Sequence, residues 1–500
     1  MTRAQLSGFL TVSGLKTAAT RHLCPANPAV RRLGGSVFFF LLLLPGISRG
    51  AGYSQMAGLV DLRSTFSDGD YSIGTLAKMA GDNGFGLVFI NDHDREAMEY
   101  GLPPLRNVLG KRVEMNSINR EGAGKYLAAI ARARKDHPGM LIIPGSECAP
   151  FYYWTGSYFG RDLTAHEPER RILTIGMDKP EDYRDLPVLQ NSPDLAVPAL
   201  LLAVMVFGFS IRLLRRGSGY RPTGLLLLAL APCLLLAADA DPFRKSPFDQ
   251  YHGPQGIAPY QFLVNYVASK GGLTFWNYPE THSGVRRLGP IRVDTPPYPE
   301  ALEEAKNYTG FAAVYGDNIT ATAPGNVWDR VLNEYCEGRR ARPVWGIATA
   351  DYHGPADGRL GDFPTVFLVR KRTVAGVLEA MRKGRMYAEG VAYPQFISLD
   401  EFSVSGSSGG AAAVSGDSVR LEGRTLVRIR LSEKAPSGSV ATVRLIKGGK
   451  IIKTFRGKLP LDINYDDELT GRGLTYYRMD MSGPARIISN PIFVENAGSR

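Results

Sequence analysis

The chain has 500 residues, 44% of them hydrophobic and 10% aromatic, with a formal charge of +11. That length exceeds one ordinary domain and suits two or three, and the apolar content is ample for globular cores. No RNA- or DNA-binding motif and no dense basic–aromatic stripe is found, so no nucleic-acid partner is expected. The four cysteines, Cys24, Cys148, Cys233 and Cys336, form no Cys-x-x-Cys pair, which argues against a thiolate zinc site. Cys148 and Cys336 could pair only if the fold brought them together in an oxidising compartment.

The first fifty residues contain "RRLGGSVFFFLLLLPGISRGAG": two arginines, an apolar stretch at 37–47, then small residues. That order predicts a secretory signal or an uncleaved signal anchor. Two further apolar runs, "LAVPALLLAVMVFGFSI" (195–211) and "TGLLLLALAPCLLLAA" (223–238), flank a loop carrying Arg212, Arg215, Arg216 and Arg221. Acidic Asp194, Asp239 and Asp241 lie outside them. With flanking residues each run reaches the length of a membrane-spanning helix, and the arginines place the connecting loop in the cytoplasm. Segment 195–238 therefore predicts a transmembrane hairpin, with both long flanks on the extracytoplasmic side, periplasmic or extracellular.

Residues 55–192 alternate apolar strands with amphipathic helices. "GLVDLRS", "GLVFIND", "MLIIPGSE" and "RILTIG" read as strands, and "GKYLAAIARARKDH" as a helix. In "SIGTLAKMAGDNG", Ile73, Leu76, Met79 and Ala80 share one helical face. After the hairpin the alternation resumes with "PYQFLVNYVASKGG", "LTFWNYP", "FAAVYG", "NVWDRVLNEYCEGR" and "VWGIATADYHG". Repeated strand–helix units predict a parallel α/β sheet or barrel over 55–392, interrupted by the hairpin at 195–238. From about 395 only strand-like segments with Gly, Ser and Asp turns remain. They predict an all-β sandwich over 395–500, with "SVSGSSGGAAAVSGDS" as a loop at its edge.

Chemistry in parallel α/β folds gathers at the carboxyl ends of strands. Asp61, Asp68, Asp92, His93, Glu147, Asp351 and His353 all follow predicted strands. Carboxylates and imidazoles converging at one mouth suit a divalent metal.

The segments "GLVDLRSTFSDGDYSIGTLAKMAGDNGFGLVFINDHD", "IIPGSE", "RRILTIGMD", "GGLTFWNYPE", "WGIATADYHG" and "TVAGVLEAMRKGRMYAEG" resemble the PHP (polymerase and histidinol phosphatase) superfamily, in particular its stand-alone phosphoesterase-type members. The resemblance covers 55–392 apart from the hairpin. It implies a distorted (β/α)7 barrel with up to three metals at its mouth. It also implies that Glu147 and Asp351 are retained ligands of the first metal, whose His-x-His pair is here Asp61-Leu62-Arg63. The histidines implied for the second metal are replaced by Arg171 and Tyr278. The third set, Asp68, His93 and His353, is intact.

Guanidinium groups cannot ligate a metal, but they neutralise carboxylates by paired hydrogen bonds. The pattern therefore predicts a rebuilt site in which Arg63 and Arg171 face Glu147 and Asp351. The catalytic candidates are Asp92, Arg63 and Arg171. The metal candidates are Asp68, His93, His353, Glu147 and Asp351, for at most one divalent ion (Zn, Mn or Fe). Three functions compete: a non-catalytic binding or scaffold module; a mononuclear phosphoesterase working through Asp68, His93 and His353; and a β-sandwich that binds protein or glycan on a merely structural barrel. A membrane through 195–238 and an anionic or phosphate-bearing ligand are the expected partners.

Overall fold

A computed structural model describes residues 52–189, 196–240, 244–281, 283–317, 319–391, 397–407, 409–434 and 438–497. The expected signal segment and Cys24 lie outside the described residues.

Nine strands form the backbone of the α/β part: β1 (Ser54–Leu62), β2 (Leu87–Ile90), β3 (Leu141–Cys148), β4 (Arg171–Ile175), β5 (Leu273–Asn277), β6 (Gly310–Val314), β7 (Trp345–Ala348), β8 (Pro364–Val369) and β9 (Met386–Val391). Their spatial order is β7-β6-β5-β4-β3-β2-β1-β8-β9. The sheet curls until the residues after β7 return to β1. There the Ala350 N–H donates to the Val60 carbonyl at 2.8 Å, and Leu62 bridges Tyr352. β2 and β5 to β7 are buried at every position, as expected of strands covered on both faces.

The expectation of a wholly parallel sheet is corrected. β1 to β3 run parallel, as do β5 to β7, but β4 is antiparallel to both its neighbours. β8 is antiparallel to β1. Between β3 and β4 no long crossover helix intervenes; instead short strands Tyr153–Thr155 and Thr164–His166 turn the chain back. Inversion puts the first residue of β4, not its last, at the mouth. The register pairs Arg171 with Asn277, the final residue of β5. The two halves of the α/β part thus pair directly across the hairpin insertion.

Helices pack on the sheet through short apolar faces. Ile73–Asp82 starts at an N-cap serine, Ser72, whose side chain accepts from the Thr75 N–H. It buries Ile73, Leu76, Ala77 and Ala80, and Met79 packs part-buried against the same core.

The hairpin is two helices, Ala196–Arg216 and Arg221–Asp239, long and apolar enough to cross a membrane. Their apolar side chains are mostly outward: Leu201 is 58% and Leu226 70% exposed. Its exit is tied down, since the Asn107 N–H donates to Asp239 Oδ1 at 2.8 Å.

Beyond β9 the sheet continues. Ala485–Ser489 pairs with β9, then Gly473–Ser482, Val440–Lys447 and Lys450–Lys458 follow. A second sheet of Ala413–Val414, Ile397–Gly406, Arg424–Glu433 and Leu461–Glu468 faces it across its own apolar core. Part of the supposed edge loop is therefore strand: Ser403 to Gly406 belong to Ile397–Gly406, because Val404 and Phe402 are buried in that core. A buried ion pair locks the two regions together. Arg478 Nη2 lies 2.7 Å from Asp329 Oδ2, both side chains at most 1% exposed. Cys148 and Cys336 are free thiols, the first buried at the end of β3 and the second closing the helix Val327–Cys336.

Candidate functional site

The mouth of the curled sheet carries a compact charged cluster built from strand ends. β1 ends in a register shift between Leu59 and Leu62, and Asp61 adopts a left-handed backbone (φ +73°). Bulges of this kind re-aim side chains next to sites. Tyr278, after β5, and Asp351, after β7, are left-handed as well, at φ +45° and +46°. Three strained residues at three strand ends of one mouth mark a place where geometry is held by its surroundings.

Arg63 lies at the centre, 1% exposed. Its Nη2 is 2.8 Å from Glu147 Oε2, 3.1 Å from Asp61 Oδ1 and 3.8 Å from Asp351 Oδ1. Its Nη1 donates to the Asn91 carbonyl. The loop 64–69 folds tightly over it: a Cβ on Gly69 would lie 2.2 Å from the Arg63 carbonyl oxygen, which explains the glycine of Ser-Asp-Gly.

Glu147 is the shared acceptor. Oε2 accepts a hydrogen bond from Arg171 Nη1 at 2.6 Å and forms an ion pair with Arg63 Nη2 at 2.8 Å, and Oε1 accepts from Asn277 Nδ2 at 2.6 Å. Burial alone would raise its pKa, but Arg63 and Arg171 hold the carboxyl well below the usual range. Asn277 Nδ2 also donates to Asp61 Oδ2 at 2.8 Å, and the Tyr278 hydroxyl donates to the same oxygen. Burial is the larger influence on Asp61 and lifts it to about 6, against the pull of Arg63. Arg171 reaches on to Glu96, whose Oε2 is 3.4 Å from Nη2.

The third set is assembled beside this cluster. Asp68 Oδ2 is 3.5 Å from His93 Nε2 and 3.3 Å from His353 Nε2, and neither buried oxygen of Asp68 has a hydrogen-bond partner among the described residues. Burial raises the Asp68 pKa, but the two imidazoles outweigh it and hold it far below the ordinary carboxylate value. Burial and Arg171 lower His93, while Asp68 and Glu96 raise it further, to about 9. His353 is lifted to about 11, with burial opposed by Asp351, Asp357 and Asp68.

Asp92 does not join either group. Its oxygens accept from the Ser64 N–H (2.7 Å), the Ser64 hydroxyl (2.6 Å) and the Ser67 hydroxyl (2.6 Å), and burial keeps its pKa raised. Its visible contacts pin the loop over Arg63. Asn277 and Glu96 are members that the sequence reading missed. Nothing but the β4–β5 register puts Asn277 opposite Arg171, and Glu96 is one acidic residue among many.

A two- or three-metal centre does not fit, because guanidinium nitrogens occupy the space between Glu147, Asp61 and Asp351. For a single ion, the donor types of Asp68, His93 and His353 are suitable. Their placement is not: Arg171 Nη1 lies 3.3 Å from His93 Nε2, the nitrogen that would face the ion. Among the described residues no group of three or more His, Cys, Asp and Glu is arranged to hold a metal.

No family model matches the chain, and no curated protein is similar to it. Among solved structures it is similar to a two-domain protein from Bacteroides vulgatus containing a predicted PHP-like metal-dependent phosphoesterase, at 12% identity and a TM-score of 0.35, covering 86% of this chain and 91% of that one. It is also similar to an amidohydrolase from Chromobacterium violaceum with bound sulfate and no metal, at 14% identity and a TM-score of 0.27, covering 65% of this chain and 96% of that one. At these values the likenesses carry no argument about the site.

Proposed function

We propose that this chain is a membrane-anchored protein of PHP-like fold in which guanidinium groups stand where metal ions would, and that it serves as a non-catalytic binding or scaffold module. One observation carries the reading: a single nitrogen of Arg63 lies within 4 Å of three carboxylates. Buried carboxylates need a compensating cation or a proton. Here two arginines supply that charge without leaving a coordination position for water or substrate. The hairpin 196–239 anchors the protein, with the α/β region and the β-sandwich on the extracytoplasmic side. An anionic or phosphate-bearing ligand at the mouth, or a protein or glycan on the sandwich, would be the partner.

A second reading starts from Asp68 lying 3.5 Å from His93 Nε2 and 3.3 Å from His353 Nε2: a mononuclear phosphoesterase whose divalent ion these three residues would hold once Arg171 moved off His93 Nε2. Elemental analysis of the purified full chain, together with a screen of phosphate monoesters and diesters, separates the two. Less than one metal per chain and no hydrolysis support the scaffold. One metal that His93→Ala removes, with hydrolysis lost alongside it, establishes the second reading instead.

A further inference from the structure

A separate cleft of about 460 Å³ lies between the mouth end of β6, the last residues of β9 and the strands Gly473–Ser482 and Ala485–Ser489. Its size falls within the range of small-molecule sites, roughly 300–1,000 Å³. Val314, Ile319, Phe363 and Ile488 make much of its wall apolar. Its polar side is arginine-rich, and the two arginines differ. Arg444 is matched: Nε and Nη2 each lie 2.7 Å from an oxygen of Asp480, a two-pronged pair that uses both carboxylate oxygens. Arg486 is not. Its Nη2 donates to Thr322 Oγ1 at 3.0 Å, and among the described residues it enters no ion pair.

A guanidinium has five N–H donors, so Arg486 keeps donors for a ligand. It is also partly withdrawn from water, and that burial pulls its pKa down from the ordinary arginine value. An unmatched, partly desolvated cation on the wall of an apolar cleft gains most from an anion that brings apolar surface with it. Asp480 is too fully engaged to supply that anion.

We propose that this cleft binds a small molecule with an oxyanion, a carboxylate or phosphate monoester, on an apolar body of about one ring. The oxyanion sits on Arg486 and the Thr322 hydroxyl, and the body lies against Val314, Ile319 and Phe363. The cleft also communicates with the charged cluster. Tyr315 lines it, and the Tyr315 ring packs edge-on against Tyr278 at 5.1 Å, whose hydroxyl holds Asp61. A ligand filling the cleft therefore rests on the residue that supports the mouth. This assignment is independent of how the cluster itself functions.

The test is calorimetric titration of the full chain in lipid nanodiscs with phenyl phosphate, benzoate and phenol. Phenyl phosphate and benzoate should saturate one site, and phenol should not. Arg486→Met should weaken both anions by at least about tenfold, the loss expected when a charged hydrogen-bond donor is removed. Gly390→Trp, whose Cβ would meet Val314, Arg486 and Phe363 and so point into the cleft while keeping the arginine, should abolish binding. If Arg486→Met fails to fold, the tryptophan variant decides alone. No saturable binding by the native chain, phenol binding as tightly as benzoate, or undiminished binding in Gly390→Trp each overturns the assignment.

Discussion

Arg63 Nη2 lies 2.8 Å from Glu147 Oε2, with both side chains 1% exposed. A pair so far from water is costly to break, because removing one member leaves the other as an uncompensated buried charge. Arg63→Ala should therefore destabilise the protein by on the order of 3–5 kcal/mol. Pairing Arg63→Met with Glu147→Gln should lose clearly less than the sum of the single changes, since neither buried charge is then orphaned. Denaturant unfolding of the native chain, Arg63→Ala, the two single variants of the cycle and the double variant measures both. Strict additivity would show that the contact contributes nothing of its own.

Asn277 bridges Asp61 and Glu147 with one amide nitrogen, at 2.8 and 2.6 Å. Asn277→Ala should cost about 1–3 kcal/mol, the range for leaving buried acceptors unpaired. Asn277→Asp should cost more, and more at pH 8 than at pH 5, because a further carboxylate is added to a cluster that is already acid-rich. Melting curves of both variants at the two pH values check the order. An aspartate variant insensitive to pH would remove Asn277 from the cluster's charge balance.

This second prediction also marks the limit of the sequence. Arg63, Arg171, Glu147 and Asp351 stand at recognisable strand ends; the structure puts Glu147 between the two arginines and Asp351 3.8 Å from Arg63. The hairpin was legible from leucine runs and arginines. Asn277 was not, because its role depends on β4 running antiparallel, and strand direction leaves no local periodicity. Nor was the Arg478–Asp329 pair, whose members are 149 residues apart. Nor did the sequence assign any role to Ser64 and Ser67, whose hydroxyls donate to Asp92. Contacts set by register or by sheet-to-sheet packing are written in no single segment.

Glu389, on β9, is buried, and that burial lifts its pKa to about 8, against a weaker opposing pull from Lys434. The folded chain then holds a proton that the unfolded chain, with an ordinary value near 4.5, has released. Stability from this group is fully present below the unfolded pKa and is lost as pH rises toward 8. The slope is at most about 1.4 kcal/mol per pH unit for one proton. Glu389→Gln should flatten that decline. Unfolding free energies between pH 5 and 8 test it, and an unchanged slope in the glutamine variant would assign the pH dependence to other groups.

The hairpin predicts opposite compartments for two reporters. A fusion at Gly219, in the arginine-flanked turn, should be cytoplasmic, and one at the C-terminus extracytoplasmic. Reporters that agree would reject the membrane crossing, and would leave the exposed leucines of Ala196–Arg216 and Arg221–Asp239 to be covered by another protein surface.

The account's central claim is that arginines have taken the place of metal ions. Elemental analysis of the full chain, purified without chelator and supplied with Zn, Mn and Fe during expression, tests it most directly. The account predicts less than one tightly bound metal per chain. Two or more equivalents would contradict it, because ions in that number would have to share the space between Glu147, Asp61 and Asp351 that Arg63 fills.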